Sequence, residues 1–264
     1  MRNLGRMAIA AGAATLLTAA LAMAQATDAE FSCEQKASKG ASKFVGAKAK
    51  CVNKCFQNFW KGLVPESDCL PPYGGATATA CITDTVTGLK GAEDKFRFTI
   101  LKSCDPVTKP GTDCPECYDA GDCSAGGYAS DQVQNIGGQV DSFVPGVVCE
   151  RTGATPAEQK CELNSGKVLS KQVASVVKCY DKCKANERKG LATAGSCTPP
   201  ASDPSTSACI SAADGKAIAG VNKLCSDVGA APDNCGAPYP SGADWANLVD
   251  IAISGNIPST YCEN

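Results

Sequence analysis

The chain has 264 residues, a formal net charge of −2, eighteen cysteines and no histidine. The slightly acidic balance argues against nucleic acid as a partner, because nucleic-acid-binding domains are usually basic. Without histidine the chain has no Ser-His-Asp or Cys-His catalysis, no imidazole metal ligand and no histidine pH switch.

Residues 1–24 have the features of a secretory signal peptide. Arg2 and Arg6 give it a positive start, residues 8–22 are apolar but too few to cross a bilayer, and Ala22-Met23-Ala24 matches a cleavage site. No later segment is apolar enough to predict a transmembrane helix in the mature chain. We therefore expect export in the bacterial style, to the periplasm or the medium.

Sixteen of the cysteines form two sets with matching spacing. The first set is Cys33, Cys51, Cys55, Cys69, Cys81, Cys104, Cys114 and Cys149, and the second is Cys161, Cys179, Cys183, Cys197, Cys209, Cys225, Cys235 and Cys262. The match predicts a tandem duplication, with repeat 1 at residues 25–150 and repeat 2 at residues 151–264. An even, high cysteine count in an exported chain indicates disulfide bonds.

A long amphipathic helix is predicted to open each repeat. Its capping boxes and terminal glycines are Thr27, Glu30 and Gly62 in repeat 1, and Thr155, Glu158 and Gly190 in repeat 2. At helical spacing a row of lysines lies opposite the apolar face. We call this row the lysine stripe: Lys39, Lys43, Lys50, Lys54, Lys61, Lys167, Lys171, Lys178, Lys182 and Lys189. A solvated helix face is the favoured interpretation, and contact with an anionic surface is the alternative.

Two further helices are predicted in each repeat. The second helix of repeat 1 runs from about Thr79 to Cys104, with Val86 and Leu89 on its apolar face; its counterpart is seven residues shorter, which suggests the loss of two helical turns. A third, shorter helix is expected to end at Pro145 in repeat 1 and at Pro258 in repeat 2. The predicted fold is all-α: two tandem disulfide-stapled three-helix repeats, each a helical hairpin plus a short helix.

Spacing alone does not fix the disulfide pairing. The expected hairpin geometry suggests Cys51–Cys81 and Cys55–Cys69, which leaves Cys33, Cys104, Cys114 and Cys149 for two more bonds. Cys117 and Cys123 have no counterparts in repeat 2 and are expected to bond to each other in an extra loop.

Two chemical functions compete with a purely structural role for the cysteines. Cys114-Pro-Glu-Cys117 is a CxxC motif, which can cycle between dithiol and disulfide. Cys51-x3-Cys55 and Cys179-x3-Cys183 place two sulfurs one helical turn apart, as a thiolate metal site would require. A helical hairpin with this motif resembles the disulfide-stapled twin-CX3C proteins, although each repeat here has a single CX3C.

Glu34, Glu150, Glu162 and Glu263 recur between the repeats, but nothing in the sequence brings two of them into one pocket. The sequence thus favours an exported, non-enzymatic, disulfide-rich structural or binding module without a cofactor. Its partner would be an unidentified protein or polysaccharide. A thiol-disulfide redox protein and a thiolate metal-binding protein are the alternatives.

Overall fold

The computed structural model describes residues 27–83, 90–147, 155–226 and 241–262. Within these ranges the chain forms seven α-helices and no strands, which confirms the predicted all-α class. The helices are α1 (Asp28–Phe59), α2 (Ala76–Ile82), α3 (Ala92–Cys104), α4 (Tyr128–Val147), α5 (Pro156–Arg188), α6 (Pro204–Cys225) and α7 (Gly242–Thr260). We call residues 27–147 the first half and residues 155–262 the second half. The predicted signal peptide, residues 1–24, lies outside the described residues.

The two long helices, α1 and α5, begin as predicted. The Thr27 hydroxyl accepts a hydrogen bond of 3.1 Å from the backbone N–H of Glu30, and Thr155 and Glu158 form the same capping box at 3.3 Å. The helices end slightly before the glycines that were expected to stop them. Gly62 and Gly190 lie in the turns that follow, at φ values of +70° and +68°, a conformation that glycine adopts without strain.

The second predicted helix of the first half is not continuous, so that prediction is wrong. α2 ends at Ile82, Thr83 is extended, and α3 begins only at Ala92. The sequence from 83 to 91 contains several β-branched residues and two glycines, which all disfavour a helix. Val86 and Leu89 lie outside the described residues. The second half has one unbroken helix here, α6, so the length difference is not a loss of two turns from an otherwise equal helix.

The third helices are longer than predicted. α4 has 20 residues and α7 has 19, and Pro145 and Pro258 lie inside them instead of ending them. A proline close to a helix C-terminus removes one backbone hydrogen bond, while the following residues can still complete the last turn. The N–H of Tyr261, for example, donates to the carbonyl of Ile257 over 3.1 Å.

Each half packs its long helix against its own shorter helices. In the first half Phe44 of α1 stacks on Phe96 of α3, with 5.1 Å between ring centroids. In the second half Gln172 of α5 donates to the carbonyl of Ala246 on α7 over 2.9 Å. The long helices also pack against each other in antiparallel orientation. None of the helices in the described part of the chain combines the length and apolar character that a bilayer crossing requires.

Eight disulfides join sixteen cysteines in the described residues. The bonds within the two halves are Cys33–Cys104, Cys51–Cys81, Cys55–Cys69 and Cys114–Cys123, then Cys161–Cys225, Cys179–Cys209 and Cys183–Cys197. The two bonds suggested from hairpin geometry, Cys51–Cys81 and Cys55–Cys69, are present. The remaining cysteines of the sequence, Cys149 and Cys235, lie outside the described residues.

The expected bond between Cys117 and Cys123 does not form. Cys123 pairs with Cys114, so Cys114 does not pair within the set of Cys33, Cys104 and Cys149 as predicted. Cys117 instead bonds to Cys262 of the second half. The reason is local packing: the hydroxyl of the neighbouring Tyr118 donates to the carbonyl of Thr260, which holds this loop against the end of α7.

Candidate binding cavity between the two halves

A buried polar cluster joins the two long helices near the start of α1. The Asp181 carboxylate on α5 accepts a hydrogen bond of 2.7 Å from the Ser38 hydroxyl and another from the Tyr261 hydroxyl. Burial raises the pKa of Asp181, and the two hydrogen bonds oppose that rise. Burial and the nearby Asp181 raise the pKa of Tyr261 far above its usual range, so this hydroxyl stays protonated as a donor.

Further contacts close the same end of the interface. Tyr118 stacks on Tyr128 with 3.5 Å between ring centroids and donates to the second half at Thr260. Arg188 forms an ion pair of 2.6 Å with Asp28, and its guanidinium lies 4.8 Å from the ring centre of Phe31. Together with the Cys117–Cys262 bond, these contacts fix the two halves against each other.

Two side-chain amides form further links between the halves, and the first of them lies at the opposite end of the long helices. Asn53 of α1 donates to the carbonyl of Leu163 on α5 over 3.2 Å. Between α4 and α7, Asn256 donates to the side-chain carbonyl of Gln139 over 2.7 Å. Both amides therefore link the first half to the second.

Between these polar ends α1, α4, α5 and α7 line a partly open apolar cavity of about 120 Å³, which we call the central cavity. Its wall is largely aliphatic, and none of the described residues that form it is charged. They are Ser38, Ala41, Ser42, Val45, Ala49, Val52, Asn53, Ile136, Gln139, Val140, Gly166, Leu169, Ser170, Val173, Val177, Val249, Ala252, Ile253, Asn256, Ile257 and Thr260.

The two halves contribute corresponding positions to this wall. On the long helices the pairs Ser42 and Ser170, Val45 and Val173, and Ala49 and Val177 are all 128 residues apart, the offset of the first five cysteine pairs. On the third helices Ile136 and Val249, and Val140 and Ile253, are 113 residues apart, the offset of Cys149 and Cys262. The cavity therefore lies where equivalent surfaces of the two halves face each other.

This cavity is not predictable from the sequence. Helical periodicity predicts the apolar face of α1, but nothing in the sequence shows that this face packs antiparallel on α5. The available signal is the small size of Ala41, Ser42 and Ala49, which limits how far this part of α1 can fill the space between the helices.

The cysteine sites considered for chemistry are all occupied by disulfides. Cys114 and Cys117 bond to different partners and not to each other. Cys51 and Cys55 also belong to separate bonds. The sulfur atoms of Cys33, Cys104 and Cys123 lie within 4.8 Å of one another, but each is oxidised and cannot act as a thiolate ligand.

All ten residues of the lysine stripe are exposed, as a solvated face requires. Lys48, which does not belong to the stripe, is only 2 % exposed. Its ammonium group forms an ion pair of 2.9 Å with Asp141 and another of 3.6 Å with Glu93, and it donates to the carbonyl of Gly137 over 3.1 Å. This buried lysine holds α1, α3 and α4 together.

Two carboxyl groups have strongly raised pKa values. Burial, reinforced by the charge of Glu30, raises the pKa of Glu34 to about 7 against the opposing effect of Arg188 and Lys184. Burial and the adjacent Asp214 carboxylate raise the pKa of Asp250 to about 7.

The recurring glutamates do not form a shared site in the described residues. Glu162 is buried like Glu34, but the two lie on different long helices, whereas Glu150 and Glu263 lie outside the described residues. Glu34 belongs to the polar end of the interface, where its charge raises the pKa of Tyr118 and of Tyr261.

Comparisons of the chain with known protein families, with curated proteins and with solved structures find no match. Its class is therefore defined by its own features. In the residues described, it is a helical, disulfide-bonded chain in which two covalently joined halves line an apolar cavity.

Proposed function

We propose that the protein is an exported, non-enzymatic binding module, made of two tandem disulfide-stapled repeats that follow a signal peptide at residues 1–24. The two repeats hold a ligand between them. The observation that carries this proposal is the central cavity, which all four interface helices line and which has no charged wall residue among those described. Ligand sites are typically concave and mostly apolar, with a few placed polar groups.

The pattern of disulfides supports the duplication. Cys51–Cys81 and Cys179–Cys209 each span 30 residues, and Cys55–Cys69 and Cys183–Cys197 each span 14. The turns that follow the long helices also match in sequence, since Pro71-Pro72 begins two residues after Cys69 and Pro199-Pro200 begins two residues after Cys197. One ancestral unit copied in tandem accounts for both similarities.

The number of disulfides supports export, because such bonds persist in oxidising compartments and are rare in the cytosol. It also favours binding over thiol chemistry. A redox protein needs a dithiol that can re-form its disulfide, and a metal site needs free thiolates. Every cysteine of the described residues is already bonded.

The proposal is tested on protein secreted by the expressing cells. N-terminal sequencing is expected to start near Gln25. The intact mass before reduction should be lower than the mass after reduction by 18 hydrogens, one for each cysteine. The native protein should carry no metal, and it should not react with a thiol-alkylating reagent. Native protein that alkylates at Cys114 and Cys117, or that carries metal, would contradict the proposal in favour of redox or metal chemistry.

A further inference from the structure

We infer that the central cavity binds the hydrocarbon chain of a single-chain lipid, such as a fatty acid or a fatty alcohol. This inference rests on the proposed binding function and names its ligand class. It follows from four properties of the cavity: its length, its volume, the state of its polar groups and the rigidity of its wall.

The cavity is long. Its wall on α1 extends from Ser38 to Asn53, and the antiparallel helix α5 lines it from Gly166 to Val177. Fifteen helical steps at about 1.5 Å each give a length of roughly 22 Å. An extended chain advances about 1.2 Å per bond, since an extended peptide advances about 3.5 Å over three backbone bonds. A chain of up to roughly 18 bonds therefore matches the length of the wall.

The cavity is also narrow. A compact apolar cavity of about 150 Å³ holds one benzene molecule. On that scale of about 25 Å³ per carbon atom, the central cavity, at about 120 Å³, encloses only about five carbons of a chain. Half-buried wall residues such as Ser42, Val45, Ser170 and Val173 leave part of this space open, and a longer chain would continue along them. A row of methylene groups fits this shape better than a ring.

The polar atoms at the ends of the cavity already have partners. Ser38 donates to Asp181, Asn53 donates to Leu163, and Asn256 donates to Gln139. With no charged side chain among the described wall residues, the wall offers no counter-ion to a carboxylate. The ligand is therefore recognised through its hydrocarbon chain, and its head group remains in solvent.

The wall is fixed before the ligand arrives. The Cys117–Cys262 bond and the Asp181 hydrogen bonds hold the halves together at one end, and Asn53 does so at the other. A preformed cavity lowers the entropic cost of binding, because little of the protein has to become ordered. This rigidity makes a cavity with so few polar contacts a workable binding site.

The test measures displacement of the fluorescent fatty acid cis-parinaric acid from the purified, oxidised protein. The competitors are saturated fatty acids from about 6 to about 16 carbons, below their critical micelle concentrations, the fatty alcohol of 12 carbons and p-xylene as a compact ring. Affinity should rise with chain length, by at most about fourfold per methylene if each added group is fully buried, and then level off. The acid and the alcohol of 12 carbons should bind alike, within about threefold.

Variants locate the binding. Val173 lies in the wall, whereas the next residue, Ala174, is exposed. Val173→Phe fills the cavity and should weaken binding by at least about tenfold, while Ala174→Phe adds the same ring outside and should leave it unchanged. Ala252→Leu, on α7, fills less of the cavity than Val173→Phe does. Its effect on binding tests the same point if Val173→Phe unfolds the protein. Circular dichroism and thermal melting verify the fold of each variant.

The inference would be supported if affinity rose with the length of the fatty acid, if a folded wall variant lost this binding, and if Ala174→Phe kept it. Affinity that is independent of chain length, or unaffected by both wall variants, would overturn it. If p-xylene bound as tightly as the longest chains and lost its binding in the wall variants, the ligand class would be wrong while the proposed binding function stood. If neither chains nor ring bound, the inference would fail, and the binding role of the cavity with it.

Discussion

Ser38 and Asp181, 143 residues apart in sequence, form a buried hydrogen bond of 2.7 Å between α1 and α5. The position equivalent to Asp181 in the first half, 128 residues earlier, is Asn53, and its amide reaches across the interface to the carbonyl of Leu163. Both long helices thus use the same position to contact the other half. The partners differ, so the interface is only approximately symmetric.

Replacing Asp181 should loosen the interface. Asp181→Ala leaves the hydroxyls of Ser38 and Tyr261 without their acceptor, and we expect a loss of about 2 kcal/mol in the free energy of unfolding. Urea denaturation measures this loss, and Lys182→Ala, a change at the exposed neighbour, is the control. Tyr261→Phe should lower the free energy of unfolding by less in the Asp181→Ala variant than in the wild-type protein. Equal costs in both backgrounds would show that the two side chains are not coupled.

Removing the bond between the halves should cost more than removing a short local bond. Cys117–Cys262 closes 145 residues, whereas Cys114–Cys123 closes nine. Since a longer loop loses more entropy when it is closed, replacing Cys117 and Cys262 together by Ser should lower stability by about 2.5 kcal/mol more than replacing Cys114 and Cys123. Denaturation of the two double variants provides the comparison. A smaller effect for Cys117 and Cys262 would contradict the role of this bond.

Stability should fall as the pH rises from about 4.5 to about 7. Glu34 and Asp250 have pKa values of about 7 in the folded protein, raised from 4.5 and 3.8, so the folded state retains protons that the unfolded chain has released. Their contribution is complete below the unfolded values and is lost as the pH passes through the folded ones. Glu34→Gln should flatten this part of the stability profile by up to about 1.4 kcal/mol per pH unit, and Asp250→Asn should flatten it by less, because solvent screens this half-buried carboxyl.

Denaturant titrations at several pH values measure this profile, with Asp122→Asn as the control. Asp122 has a lowered pKa, so its contribution to stability is constant above its unfolded pKa and is lost only at more acidic pH; its replacement should leave the slope between pH 5 and pH 7 unchanged. A wild-type protein that becomes more stable between pH 5 and pH 7 would contradict the assigned shifts, unless Glu34→Gln steepened that rise.

The buried lysine of the first half should be essential for stability. Lys48→Met removes the cation that neutralises Asp141 and Glu93, and we expect a loss of about 3–5 kcal/mol. Lys50→Met, a change in the exposed lysine stripe, should shift stability by less than about 0.5 kcal/mol. Thermal and urea unfolding of both variants test this difference. A tolerated Lys48→Met would mean that the ion pairs contribute little net stability.

The sequence predicted the local features that depend on few residues. The capping boxes of Thr27 and Thr155, the long helices and the Cys51–Cys81 and Cys55–Cys69 bonds follow from helical periodicity and hairpin geometry. It failed where weak local preferences decided the outcome. The break between α2 and α3 and the continuation of α4 and α7 past their prolines each depend on small differences in helix stability.

The relation between the two halves was not predictable from spacing. Two halves of this kind can pack in many ways, and the cysteine pattern alone gave no reason to pair Cys117 with Cys262. That bond depends on the Tyr118 loop lying against the end of α7, which is a tertiary contact. The central cavity arises from the same packing, so the residues of its wall become a site only once α1 and α5 are placed side by side.

The most direct test of the covalently joined halves is disulfide mapping of the unreduced protein by proteolysis and mass spectrometry. It distinguishes the three pairings considered for Cys117. A peptide pair that links Cys117 to Cys262 is the predicted result and would establish that the two halves are covalently joined. A bond from Cys117 to Cys114 or to Cys123 would contradict this arrangement, and the bond to Cys114 would favour a redox-active CxxC motif.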